Sequence, residues 1–193
     1  MKESFIIAKL LSTYLYDTYH IRISAKQILS IGKDYTLPDD IYKYVKLGYE
    51  WLEKVYKNLI IFDGAHTSDK VISEIMQVLK EEGTFEDGHY TPNNPEQTVL
   101  AVIDHAGLLV PANGRTKKGE IDECANKLVI IRNKTDLSIL FIMQSNRSVA
   151  NMERKKNEAF MEPMVEDIKE TGTLTQYYYN IYALHSYVQI RCT

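Results

Sequence analysis

The stretch Thr98-Val99-Leu100-Ala101-Val102-Ile103-Asp104-His105 places the tightest constraint on this chain. It is an apolar run far too short to span a membrane, and it ends on a carboxylate. β-Branched residues fill much of it, and the turn formers Asn93, Asn94 and Pro95 precede it. The pattern predicts a strand buried on both faces, as in a parallel sheet. Asp104 falls where that strand runs out. Open α/β sheets bind ligands at the carboxyl ends of their strands. A carboxylate there suits Mg²⁺, a hard cation that takes oxygen ligands and phosphate company. That is the shape of a Walker B element, although many buried strands also end in Asp as a turn former or helix cap.

Elsewhere the period alternates between helix and strand. Phe5, Ile6, Leu10, Leu11, Tyr14 and Leu15 predict an amphipathic helix over residues 4 to about 18. Ser24 caps a short helix that stops at Gly32, and Pro38-Asp39-Asp40 opens a third. Leu59-Ile60-Ile61-Phe62 predicts a short buried strand. Thr67 or Ser68 caps a helix with Val71, Ile72, Ile75, Val78 and Leu79 on one face. Residues 83–97 read as a polar loop, and 113–119 as a flexible basic loop. A long helix follows, with Ile121, Cys124, Ala125, Leu128 and Ile131 facing in. Ser138 to Met143 is a second buried strand, ending on Gln144, and a last strand runs from about Tyr178 to Leu184. Strand–helix–strand order with apolar strands implies an α/β fold with a parallel sheet and right-handed crossovers.

The 193 residues are 45% hydrophobic, enough for one sizeable core. A net charge of −3 rules out a polycation, so nucleic-acid contact must come from local patches. Cys124 and Cys192 form no CxxC and point to a reducing, cytoplasmic setting. Arg147, Arg154, Lys155, Lys156 and Lys169 lie in a charged stretch suited to phosphate contact, or equally to a solvated surface diluted by Glu153 and Glu158. Gly83/Gly88 and Gly114/Gly119 have G-x-x-x-x-G spacing, but neither pair is followed by Lys-Ser or Lys-Thr, so the chain has no Walker A. His66, His89 and His105 lack metal-ligand spacing.

The order of these pieces resembles the RecA-like ATPase domain of replicative helicases of the DnaB type. Val102 to Leu109 is similar to the family's Walker B strand, usually IDYLQL. Glu120 to Asn133 is similar to its EI…LK.LA helix, and Phe141 to Arg147 to its LSQLNR strand end. Pro163 to Gln176 resembles P.LSDLRESG.IEQ, the most specific match. The resemblance covers nearly the whole chain. It implies a RecA-like, mainly parallel sheet flanked by helices, with a helical segment at 1–57 and a sheet core with DNA-binding loops at 58–193. Asp104 is then the Mg²⁺-holding residue and Gln144 the γ-phosphate sensor. Lys169, Glu170 and Gly172 fall on the loop that grips single-stranded DNA, with Arg147 near its start.

The departures matter. The family's phosphate-loop strand and catalytic glutamate precede the region matching Met1, and its arginine finger follows the region matching Thr193. His105 stands where Tyr is usual, and Lys169 where Arg is usual. The resemblance therefore implies an interior piece of an ATP-dependent DNA helicase. ATP and Mg²⁺ are its cofactors only if a phosphate loop comes from elsewhere. Single-stranded DNA, copies of itself in a hexameric ring, and primase or a loader are its implied partners. A non-catalytic RecA-like module that binds single-stranded DNA or assists helicase assembly is the alternative.

Overall fold

A computed structural model describes residues 2–32, 36–135, 137–144 and 180–182. The chain divides into two compact units, Met1–Gly64 and Ala65–Thr193.

The first unit is helical. Helix α1 spans Glu3–Tyr19, α2 Ala25–Ile28 and α3 Asp39–Tyr56. The Ser24 hydroxyl accepts from the Gln27 N–H, and the Gln27 side chain accepts from the Ser24 N–H, a reciprocal capping box. Asp39 and Asp40 occupy the first turn of α3, where carboxylates favour the helix dipole. Leu15, Ile23 and Val45 form the core, flanked by Tyr14, Tyr19 and Ile41. Tyr14 and Trp51 stack at 4.4 Å between ring centroids, tying α1 to α3. The segment 59–62 is not paired into a strand, contrary to the sequence expectation. Among the described residues it finds no ladder partner, and Ile60 and Phe62 stay exposed.

The second unit begins with helix α4, Ser68–Glu82, capped by the Thr67 hydroxyl, which accepts from the Lys70 N–H. Residues 83–92 then form a hairpin where the sequence predicts only a polar loop: β1 is Gly83–Glu86 and β2 His89–Pro92, antiparallel. Its turn is Asp87-Gly88, both at positive φ, the chemistry a two-residue hairpin requires. Strand β3, Leu100–Ile103, runs parallel to β4, Ser138–Phe141, and helix α5, Lys117–Thr135, provides the crossover. The α/β class with a parallel pair is the one the sequence implies.

Ala106, Leu109, Ile121, Cys124, Ala125 and Leu128 make the main core, against Ile72 and Ile75 of α4 and Ile103, Ile139 and Phe141 of the sheet. All five inward residues expected on α5 are buried there. Burial pushes the Cys124 thiol up to about 12, so this cysteine packs as an inert apolar group. The strand β3 departs from its expectation of two buried faces. Ala101 and Ile103 face the helices, but Leu100 and Val102 remain 59% and 52% exposed. Helices α4 and α5 cover one face of this pair; among the described residues the other stays open.

Gly83 is where α4 gives way to the hairpin. A Cβ there would run into the Thr91 carbonyl oxygen and sit 2.6 Å from the Tyr90 ring. We expect Gly83→Ala to force the strands apart and cost about 1–3 kcal/mol, as overpacking does. Equilibrium urea unfolding measures it. A change below about 0.5 kcal/mol would mean the hairpin yields without resistance.

Candidate nucleotide-end site

Parallel pairing decides where the two candidate residues fall. Ile103 lies opposite Phe141. The ladder continues past both strands: the Ile142 N–H donates to the Ile103 carbonyl at 3.0 Å, and the Ala106 N–H donates to the Ile142 carbonyl at 2.9 Å. Asp104 and Gln144 therefore leave the sheet at the carboxyl ends of adjacent strands. Both side chains are exposed. This is the placement in which open sheets present ligand-binding groups.

The Asp104–His105 peptide bond is cis. The His105 ring lies against Gly107, where a Cβ would meet it at 2.8 Å, and His105 Nδ1 is buried without a hydrogen-bond partner. A short 3-10 turn over Ala106–Leu108 follows, with Ala106 fully buried.

Beneath this end sits a charged hub that the sequence reading passed over. Glu120, in the first turn of α5, is fully buried. Its Oε1 accepts from the Ser68 N–H at 2.6 Å, its Oε2 from the Ala112 N–H at 3.1 Å and from Arg115 at 3.3 Å. Burial pushes this carboxyl up. The donors from Ser68, Ala112 and Arg115 outweigh that and bring it down to about 2. One carboxylate thus joins the start of α4, the 110–116 segment and α5. Its spacing was a usable signal: Glu120, Cys124, Leu128 and Ile131 recur at 4, 4 and 3, which puts Glu120 on the buried stripe.

The same contacts revise the loop read as flexible and basic. Arg115 bonds Glu120 and reaches Glu123 at 3.6 Å, and Lys117 donates to the Leu109 carbonyl. The 110–116 segment is also held from below, where the Val110 N–H donates to the His66 carbonyl at 2.9 Å.

Of the two glycine pairs, Gly83 and Gly88 belong to the hairpin, and Gly114 and Gly119 bracket the entry to α5. Neither follows a strand into a helix, so neither builds a phosphate cradle. No group of three or more His, Cys, Asp or Glu side chains able to hold a metal occurs among the described residues. A cation at Asp104 would have to take its remaining ligands from water or from groups outside the described residues. Arg147, Arg154, Lys155, Lys156, Lys169, Glu170 and Gly172 lie outside the described residues, as does most of the strand expected at 178–184. No helix among the described residues is long and apolar enough to cross a membrane.

No family model and no curated protein matches the chain. Among solved structures it is similar to a DnaB-like replicative helicase, one described with its interactions with primase. The TM-score is 0.62 at 21% identity, over 91% of this chain and 37% of that one. The chain thus spans little more than a third of that protein's length.

Proposed function

We propose, from a fold shared with part of a DnaB-like replicative helicase, that this chain is a helicase module acting on single-stranded DNA. In this reading Asp104 holds Mg²⁺ through water, and Gln144, one strand away, senses the γ-phosphate of ATP. The observation that carries it is that both follow the carboxyl ends of the paired parallel strands β3 and β4. Mg²⁺ bound with the nucleotide neutralises phosphate charge. The chain's own part is to present the carboxylate and the amide on a rigid sheet end. Lys169, Glu170 and Gly172 form the DNA-gripping loop, assisted by Arg147 and the Arg154-Lys155-Lys156 run. Backbone N–H groups and cations bind phosphates without reading bases. Assembly is as a hexameric ring, with primase or a loader as further partners.

These 193 residues contain no G-x-x-x-x-G-K-[ST]. Hydrolysis therefore depends on a phosphate loop from another polypeptide or another segment. The same observation favours a second reading, a non-catalytic module that binds single-stranded DNA or assists helicase assembly.

Fluorescence anisotropy with a labelled oligothymidine tests the DNA role shared by both readings. Binding should weaken as salt rises. Replacing Arg154, Lys155 and Lys156 together by Ala should flatten the log–log salt slope by roughly 2, at about 0.7 per phosphate contact on single strands. Lys169→Ala should weaken binding further. Affinity unchanged in both variants would remove the DNA-binding role.

A further inference from the structure

A second site lies at the opposite end of the strands from Asp104 and Gln144. A cleft of about 250 Å³ opens where β3 and β4 begin, between the end of α4, the hairpin and the end of α5. Leu79, Val99 and Leu137 supply apolar walls, and Glu82, Tyr90 and Gln97 supply polar ones. Its volume is somewhat below that of a pocket for a drug-sized ligand, roughly 300–1,000 Å³, and suits a single side chain or a fragment.

The polar groups have a definite sign. Glu82 Oε2 accepts from Gln97 Nε2 at 2.7 Å, and a carboxylate has room to accept several further hydrogen bonds. The Tyr90 hydroxyl is buried without a hydrogen-bond partner, a costly arrangement in a packed site. Burial and the neighbouring Glu82 charge hold this phenol above its ordinary value, so it stays neutral and able to accept or donate. No lysine or arginine is among the described lining residues. Around the rim, exposed Glu81 at the end of α4, Glu86 and Asp87 of the hairpin and Glu96 outnumber exposed Lys80 and Lys134.

We infer that this cleft binds an organic cation, an alkylammonium or alkylguanidinium group on a short apolar stem. The head would sit at the Glu82 carboxylate, and the stem beside the Tyr90 ring and against Leu79, Val99 and Leu137. A free amine and a basic side chain of a partner protein share this chemistry. Because the cleft lies at the strand-start end, its occupancy leaves the carboxyl ends of β3 and β4 untouched.

The test is an NMR titration of the full chain with n-butylguanidinium, following the amide signals of Tyr90, Val99 and Leu137. A capped Gly-Arg-Gly peptide forms the second arm. Saturable shifts at these amides, with Kd near about 1 mM as befits a fragment, are expected. Glu82→Gln should weaken the binding at least about tenfold, as loss of a charge-assisted contact does, and Tyr90→Phe should weaken it less. Tighter binding of the peptide identifies a partner's side chain as the source; tighter binding of the free guanidinium identifies a small molecule. Equal shifts with neutral n-pentanol, or affinity unchanged in Glu82→Gln, would overturn the site. The pentanol arm uses the unaltered protein and so stands even if a variant fails to fold.

Discussion

Glu120→Ala should unfold the second unit more readily than any other single change considered. The substitution strips the acceptor from the buried Ser68 N–H, the Ala112 N–H and one arm of Arg115. It also removes a negative charge from the positive end of α4. Breaking a buried charged pair by deleting one partner costs about 3–5 kcal/mol. For a chain of this length that corresponds to a fall in Tm of about 10 °C. Glu120→Gln keeps the volume and one acceptor oxygen, but turns an amide NH₂ toward an N–H donor, and should lose less. The pH dependence separates charge from packing. The folded carboxyl titrates at about 2, below its ordinary 4.5. Its stabilising contribution is therefore complete above about 4.5 and fades as pH falls from there toward 2. Urea melts should show the gap between the unaltered protein and Glu120→Gln largest at pH 7 and shrinking below pH 4.5. A gap independent of pH would mean the charge contributes nothing.

The second large effect follows from the nucleotide roles proposed for Asp104 and Gln144, and is read in an assembly that contains a phosphate loop. Asp104→Asn should lower ATP hydrolysis by roughly 100-fold or more, because metal-mediated charge stabilisation at a phosphoryl group is worth several kcal/mol. Gln144→Ala should behave differently. Nucleotide affinity should hold within a few-fold, while DNA-stimulated hydrolysis falls, since a γ-phosphate sensor acts after binding. Steady-state kinetics with and without oligothymidine distinguish the two. Asp104→Asn with normal turnover would take this residue out of the nucleotide site, and a purely KM effect for Gln144→Ala would make it a binding residue instead.

What was legible in the sequence follows the strength of each local signal. The inward stripe of α5 was readable because a 3.6-residue period leaves one solution for Ile121, Cys124, Leu128 and Ile131. Glu120 lies on that stripe and was overlooked because a charge is expected outside; only its three donors, from residues 52, 8 and 5 positions away, make its burial tolerable. The parallel pairing of the strands that precede Asp104 and Gln144 followed from two apolar runs joined by one crossover helix. The hairpin at 83–92 carried its own signal in Asp87-Gly88, flanked by Phe85 and Tyr90, but the surrounding Gly, Asn and Pro masked it as a loop. Leu59 to Phe62 illustrates the reverse. An apolar run states a preference for burial, while a strand also needs a neighbour to receive its N–H and C=O groups. Leu100, Val102 and Leu140 likewise leave apolar surface exposed on the open face of the parallel pair.

The most direct test of the helicase reading is ATP hydrolysis by this chain mixed with a polypeptide bearing a strand followed by G-x-x-x-x-G-K-[ST]. Each is inactive alone in the expected result. Together they should hydrolyse ATP in an Mg²⁺-dependent manner, faster with single-stranded DNA, and not at all when Asp104 is replaced by Asn. A mixture in which both chains associate and bind ATP, yet hydrolyse it no faster than the phosphate-loop polypeptide alone, would contradict the catalytic role and leave the DNA-binding module as the surviving reading.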